Sequence, residues 1–208
     1  MRLFLASEGK NPLTVSSLKD YVGGFSGKSI AYIPTAANGE GWGSWKAGGS
    51  WEMVQKLGAQ ITLVQLEEYG NGGLDQVLRG KDIIWMAGGY CGYLLYWIGR
   101  THLEEMLPEF LKHSLYLGSS AGSMITAKEL DAGEWYLEER VRGAVSIPGL
   151  DLVNFDIYPH YDESKLDLIQ ANYRGNALYL LKDGEHILFE NGEIRVVGKE
   201  RIVKDSKA

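Results

Sequence analysis

Short apolar runs recur along the first half of the chain and alternate with more polar segments. Five such runs cover residues 3–6, 30–34, 61–66, 83–87 and 115–117. Because these runs are continuously apolar, they predict strands that are buried on both faces of a parallel sheet. Two neighbouring parallel strands need a crossover connection, which is usually a helix. The spacing therefore predicts repeated β–α units.

The segments between these runs carry apolar residues at helical spacing. The three sets are Leu13, Leu18 and Tyr21; Trp51, Val54 and Leu57; and Leu74, Val77 and Leu78. A further helix is predicted at residues 103–112, where Pro108 implies a late start or a kink. Together these segments predict an α/β fold, with a mostly parallel sheet flanked by helices on both faces.

After about residue 129 the pattern changes to short strand-like runs separated by turn residues. These runs cover residues 152–158, 177–181, 186–189 and 194–197, and one predicted helix at 164–174 interrupts them. Asn191 and Gly192 lie between the last two runs, as a hairpin turn requires. We therefore expect antiparallel strands near the C-terminus. Since no repeat or linker divides the chain, we expect one domain over residues 1–208 with a peripheral tail at 199–208.

Residues 38–51 are rich in glycine and contain tryptophan. Trp42 and Trp45 lie inside this segment and Trp51 ends it. Glycine interleaved with aromatic residues is consistent with a mobile loop that covers a site. It is equally consistent with a long connection that its tryptophans anchor in the core. Both interpretations stay open at the level of sequence.

Composition and charge narrow the function classes. The net charge of −6 and the lack of a basic face argue against nucleic-acid binding. The single cysteine, Cys91, excludes an internal disulfide and a cysteine-based zinc site. No apolar run suits a signal peptide or a membrane span. We expect a cytoplasmic protein, monomeric or homodimeric, that binds no membrane, metal or cofactor.

A serine lies on a predicted turn between a strand and a helix. Gly118, Ser119, Ser120, Ala121 and Gly122 follow the apolar run at 115–117 and precede a helix-like segment. A turn of small residues can hold a serine hydroxyl above the end of a sheet as a nucleophile. The backbone N–H of Ala121, at the start of that helix, is the expected first oxyanion donor. The N–H of Gly89, in a second turn after the run at 83–87, is the expected second donor.

His160 is the candidate general base, because it follows a predicted strand at the start of a polar loop. The other histidines, His102, His113 and His186, have no reactive neighbour in sequence. A carboxylate is needed to orient the imidazole. Spacing alone leaves four candidates: Asp183, Asp162, Asp131 and Glu134.

The turn at residues 118–122 is called the elbow. Together with the turn at Gly88 and Gly89 and the run of Tyr158, Pro159 and His160, the elbow resembles the peptidase E family of serine peptidases. That family includes aspartyl dipeptidases and cyanophycinases, and its fold is similar to the class I glutamine amidotransferase domain. The resemblance implies a triad of Ser120, His160 and Asp183, with Asp183 in the family's acidic turn. It also implies oxyanion donors at Gly89 and Ala121 and a substrate site lined by Tyr90 and Tyr158.

The resemblance implies hydrolysis of small peptides or amides through an acyl-enzyme, including dipeptides with N-terminal Asp. The family turn commonly continues as Gly-Gly-Asn-Thr, whereas this chain has Tyr90 and Cys91 after the two glycines. An anionic substrate needs a cation, for which Arg140, Arg142 and Arg174 are candidates. Two alternatives remain: a ligand-binding or amidotransferase-like protein without peptidase activity, and an enzyme that uses Cys91 as its nucleophile.

Overall fold

The computed structural model describes residues 1–137, 139 and 143–204. The strands are β1 (Arg2–Ala6), β2 (Ser29–Ile33), β3 (Gln60–Leu63), β4 (Ile83–Met86), β5 (Leu115–Ser119), β6 (Glu129–Asp131), β7 (Ser146–Pro148), β8 (Asp156–Tyr158), β9 (Leu178–Leu180), β10 (His186–Glu190), β11 (Glu193–Val197) and β12 (Ile202–Val203). The α-helices are α1 (Pro12–Val22), α2 (Thr35–Asn38), α3 (Ser50–Gln55), α4 (Leu74–Leu78), α5 (Cys91–Thr101), α6 (Leu103–Phe110), α7 (Ala121–Met124), α8 (Glu134–Leu137) and α9 (Leu166–Asn172). Short 3-10 turns cover Ser44–Lys46, Leu66–Tyr69 and Glu163–Lys165.

A seven-stranded sheet in the order β11-β10-β1-β5-β4-β2-β3 forms the centre of the molecule. The five strands from β1 to β3 in this order pair in parallel. Strand β10 pairs antiparallel with β1, and β11 pairs antiparallel with β10. The predicted α/β class, with its parallel sheet and antiparallel C-terminal additions, is confirmed.

Alternate residues of each central strand enter two separate hydrophobic cores. On β1, Leu3 and Leu5 belong to one core, and Phe4 and Ala6 belong to the other. All four side chains are fully buried. Helices cover both faces of the sheet, so its strands need apolar residues at consecutive positions. This explains why the sequence shows continuous apolar runs rather than alternation.

Several predicted boundaries differ from the observed ones. The strand predicted at 61–66 ends at Leu63, and the strand predicted at 152–158 is limited to Asp156–Tyr158. The predicted helix at 164–174 spans Leu166–Asn172, and the helix after the elbow ends at Met124. Helix α5 was not predicted, because its apolar and aromatic residues surround most of its circumference. Strands β6 and β7 also lacked a sequence signal and form a separate two-stranded sheet.

None of the helices formed by the described residues combines the length and the apolar character needed to cross a bilayer.

Candidate active site

Ser120 lies at the sharp turn between β5 and α7. Its backbone has φ 51° and ψ −116°, a combination that non-glycine residues rarely adopt. Such a conformation costs about 1–3 kcal/mol and persists only where the surroundings enforce it. Here the Ser120 N–H donates to the carbonyl of Ala6 at 3.0 Å, which ties the turn to the end of β1.

Two glycines let this turn pack directly against the sheet. A Cβ atom on Gly122 would lie 2.2 Å from the carbonyl oxygen of Met86 in β4. A Cβ on Gly118 would lie 2.4 Å from the carbonyl oxygen of Gly122. Because both neighbours are backbone atoms, neither contact can be relieved by rotating a side chain. The glycines of the elbow are therefore required by close packing.

A chain of two hydrogen bonds joins Ser120, His160 and Asp183. His160 Nε2 lies 3.0 Å from Ser120 Oγ, and His160 Nδ1 lies 2.6 Å from Asp183 Oδ1. The histidine and aspartate side chains are 47% and 44% exposed, so these two hydrogen bonds lie at the surface of the protein. Both links are within hydrogen-bond reach, so the imidazole can take the serine proton while the carboxylate orients its ring.

Parallel pairing brings the histidine and the aspartate together. His160 follows β8 and Asp183 follows β9, and these two strands pair in parallel within a small three-stranded sheet. Their carboxyl ends therefore meet at one edge. The pairing continues past the strands, with Leu181 N–H donating to Tyr158 and Tyr161 N–H donating to Leu181, each at 2.9 Å. Residues 23 positions apart in sequence thus become direct neighbours.

The other candidate acids have different surroundings. Asp162 accepts the N–H of Ser164 at 2.9 Å and caps the following 3-10 turn. Asp131 accepts the N–H of Gly133 at 2.7 Å in the turn before α8. Glu134 is the first residue of α8. Of the four candidates, Asp183 is the one placed against the imidazole.

The turn at Gly88 and Gly89 faces the elbow, as the sequence predicts. A Cβ atom on Gly88 would lie 3.1 Å from Ser120 Cβ. Gly89 has φ 134° and a Cβ there would lie 2.3 Å from the Ala36 carbonyl carbon, so only glycine fits. Ala121 is the first residue of α7, and the glycine turn leads into α5. Two helix N-termini, where backbone N–H groups lack helical partners, therefore flank Ser120.

A cavity of about 400 Å³ opens beside Ser120 and His160. Tyr90 and Tyr158 both contribute to its lining, as expected for substrate-binding residues. The segment 38–51 contributes Trp45, which is buried, packs edge-on against Trp51 and donates from Nε1 to Gln65 at 3.0 Å. Trp42 is 70% exposed. The segment is thus anchored by Trp45 and by Trp51, which packs against the core, and it also forms one wall of the cavity.

The arginines that the sequence offered as cations for an anionic substrate are not seen beside Ser120 among the described residues. Arg174 donates to the backbone carbonyls of Tyr173 and Ala171 and lines a second cavity, so it does not belong to the site around Ser120. Arg140 and Arg142 lie outside the described residues. Lys10, which the sequence did not single out, lines the main cavity. Its Nζ lies 3.5 Å from Glu8 Oε1 and donates to the Gly48 carbonyl at 3.1 Å.

Cys91 is unsuited to be the nucleophile. Its side chain is 2% exposed and lies 3.8 Å from Met124 Sδ. Burial, with a smaller contribution from the Glu139 carboxylate, raises the pKa of its thiol far above the ordinary range. Since the thiolate is the reactive form, the environment of Cys91 suppresses its reactivity.

Ser7 is a site residue that sequence reasoning missed. It follows β1, is fully buried, and contacts both Asp183 and the backbone of His160. Its position in the sequence could have identified it, because Ser7 directly follows an apolar run, as the candidate nucleophile directly follows β5. Ala6 and Ser119 are register partners in neighbouring parallel strands, so their following residues emerge together.

Comparisons with known proteins identify the family and the fold. The family model described as "Peptidase family S51" matches residues 3–197. An uncharacterized peptidase of Listeria monocytogenes is 28% identical over 203 residues, which cover 89% of this chain and 97% of that protein. Peptidase E of a Nostoc species is 23% identical over 198 residues, covering 89% and 78% of the two chains. A crystal structure of a Listeria monocytogenes protein described as a peptidase E superposes with a TM-score of 0.78 at 25% identity, covering 94% of this chain and 97% of that one.

Proposed function

The chain belongs to peptidase family S51 and is a serine peptidase, and we propose that it hydrolyses small peptides through an acyl-enzyme on Ser120. The observation that carries this proposal is the chain of hydrogen bonds from Ser120 through His160 to Asp183, at 3.0 and 2.6 Å. In the proposed triad Ser120 is the nucleophile, His160 the general base and Asp183 the group that orients the imidazole.

In the first step His160 Nε2 takes the proton of Ser120 Oγ while the oxygen attacks the scissile carbonyl. A tetrahedral intermediate forms, and His160 becomes a cation that the Asp183 carboxylate stabilises. The imidazolium then gives its proton to the amine of the leaving group as the C–N bond breaks. A water molecule, deprotonated by the same histidine, hydrolyses the ester and restores Ser120.

The proposed oxyanion donors are the backbone N–H groups of Ala121 and Gly89. Both lie at helix N-termini beside Ser120, where unpaired N–H groups and the helix dipoles favour negative charge. Because these donors belong to rigid turns packed against the sheet, they need no rearrangement as charge develops. A Cβ at Gly88 would crowd Ser120, so the turn depends on glycine there as well.

The proposed substrates are short peptides or amides, including dipeptides with N-terminal Asp. A cavity of about 400 Å³, walled by Trp45, Tyr90 and Tyr158, has room for a short peptide. Of the described residues in its lining, Lys10 is the one lysine or arginine. Its ammonium could bind an aspartate side chain, although Glu8 at 3.5 Å already neutralises part of its charge. Uncharged N-terminal residues are therefore expected to be cleaved at comparable rates.

The proposal is tested by three substitutions assayed on Asp-Xaa and Ala-Xaa dipeptides. Ser120→Ala is expected to abolish turnover, and Asp183→Asn to lower kcat by about ten-thousand-fold because the imidazole loses its orienting carboxylate. Asp162→Asn is the matched control, since it removes a neighbouring carboxylate that only caps a turn. Its kcat is expected to stay within about twofold of the wild type.

Labelling with a fluorophosphonate provides an assay that needs no knowledge of the substrate. The wild-type protein is expected to react once per chain, at Ser120, and Ser120→Ala is expected to stay unlabelled. Cys91→Ala is expected to label and turn over like the wild type. Wild-type turnover in Ser120→Ala would falsify the role of Ser120.

A further inference from the structure

The hydroxyl of Ser7 joins two members of the proposed triad. It donates to Asp183 Oδ1 at 2.9 Å and accepts the backbone N–H of His160 at 2.7 Å. The directions are fixed, because a carboxylate can only accept a hydrogen bond and a backbone N–H can only donate. Ser7 therefore contacts the acid through its side chain and the histidine through its main chain.

Ser7 is itself held firmly by the sheet. Its N–H donates to the carbonyl of Glu185 at 3.1 Å, and its side chain is fully buried. The preceding residue, Ala6, accepts hydrogen bonds from Ser120 N–H at 3.0 Å and from Ser123 Oγ at 2.8 Å. The end of β1 thus contacts all three triad residues, directly or through the backbone.

The two residues that Ser7 contacts need an external support. The side chains of His160 and Asp183 are nearly half exposed, so water can compete for their polar atoms. His160 also has φ 53°, in the left-handed region that non-glycine residues seldom occupy. A hydrogen bond from its N–H to a buried, immobile hydroxyl stabilises that conformation.

We propose that Ser7 is a positioning residue that holds His160 and Asp183 in register with Ser120; this inference rests on the proposed function. Its hydroxyl and His160 Nδ1 both donate to the same oxygen, Asp183 Oδ1. The carboxylate is thereby fixed in rotation, and the backbone at His160 is fixed in place. Ser7 is not among the described residues that line the cavity. It therefore acts through the triad and not on the substrate.

The test is steady-state kinetics of Ser7→Ala on the dipeptide that the wild type cleaves best. Misplacing reacting groups by about an ångström can cost about 100-fold in rate, so kcat is expected to fall about 10- to 100-fold. KM is expected to change by less than about twofold, because the cavity lining stays intact. Ser114→Ala is the matched control: it too removes a buried hydroxyl that bonds to the protein, here the carbonyl of Lys81, but at the opposite end of the sheet.

A double-mutant cycle with Asp183→Asn separates positioning from general destabilisation. If Ser7 acts through the acid, its removal costs much less in the Asp183→Asn background than in the wild type. Equal costs in both backgrounds, or a kcat for Ser7→Ala matching that of Ser114→Ala, would overturn the proposal. Ser7→Cys, which fills the space with a weak donor, is held to the same two criteria should Ser7→Ala fold poorly. If the Ser7 proposal is overturned, the result for Ser120→Ala still stands, so each proposal can be rejected without rejecting the other.

Discussion

Two residues of the site, Ser120 and His160, hold backbone conformations with positive φ, at 51° and 53°. Neither is glycine, so both conformations are unfavourable in isolation. Each is stabilised by a hydrogen bond from its own N–H, to Ala6 O for Ser120 and to Ser7 Oγ for His160. At the scale of the residue, the site is thus defined by backbone geometry that Ala6, the last residue of β1, and the following Ser7 impose.

A buried histidine outside the proposed triad is expected to give the fold its own pH dependence. His186 is 1% exposed, stacks on Phe4 at 4.2 Å and pairs through Nε2 with Ser17 Oγ at 2.9 Å. Burial lowers the pKa of His186 to about 4. It is therefore neutral in the folded protein, whereas in the unfolded chain the pKa of histidine is about 6.5.

Between these two pKa values the unfolded chain binds a proton that the folded protein does not. The free energy of unfolding therefore falls as pH drops from about 7 to 4.5, by about 2 kcal/mol from this residue. His186→Phe is expected to remove that part of the fall in urea denaturation curves. His113→Phe, at an exposed histidine, is the control and should retain it. A fall in His186→Phe as steep as in the wild type would contradict this assignment.

At the scale of elements, the elbow depends on how closely α7 packs against β4. Gly122 leaves no space for a side chain, because a Cβ there would lie 2.2 Å from Met86 O. Met86 is a fully buried residue of a central strand, so its backbone cannot move aside without disturbing both cores. Close approach of the two elements is what places Ser120 above the end of the sheet.

Gly122→Ala is expected to lower the free energy of unfolding by about 3 kcal/mol, since the new methyl group clashes with backbone. Gly99→Ala is the contrasting substitution: Gly99 lies inside α5, and its added Cβ would have only Glu104 Oε1 nearby, at 4.0 Å. Because alanine favours the helix, this variant is expected to gain about 0.5–1 kcal/mol. Thermal and urea denaturation measure both. Equal stability of the two variants would mean that the elbow is not closely packed.

At the scale of the whole molecule, β1 connects the parallel sheet to its antiparallel extension. It pairs with β5, which leads to Ser120, and with β10, which follows the turn containing Asp183. Because β10 runs antiparallel, its first residue lies beside the last residue of β1, with His186 opposite Ala6. Ser120 and Asp183 therefore reach the same edge of the sheet from opposite sides of β1.

Hydrogen exchange followed by mass spectrometry is expected to reflect this arrangement. Peptides covering β1, β4 and β5 should exchange slowest, because these strands are paired on both sides and buried on both faces. Peptides covering β11, an edge strand with exposed residues, should exchange much faster. The two sets come from one sample, so each serves as the reference for the other. Comparable rates for β1 and β11 would show that β1 is not part of the stable centre.

The sequence by itself determined the fold class and the nucleophile candidate. Continuous apolar runs can be buried only between two helical layers, and small residues after the run at 115–117 allow only a tight turn. Both are local properties, so they can be read from neighbouring residues. Helix α5 was not delimited from the sequence, because apolar and aromatic residues also occupy its less buried faces and obscure the single face that buries Leu94 and Ile98.

Tertiary structure alone showed that Asp183 contacts His160 and that Ser7 contacts both residues. On spacing alone Asp162 and Asp183 are equally plausible, since each lies next to a turn, and only the family resemblance favoured Asp183. Parallel pairing of β8 with β9 brings Asp183 to 2.6 Å from His160 Nδ1. The pairing of β1 with β5 and β10 then places Ser7 among them. These contacts span 23 to 176 positions in the chain, and such distant pairings arise from the packing of whole strands, which no local pattern encodes.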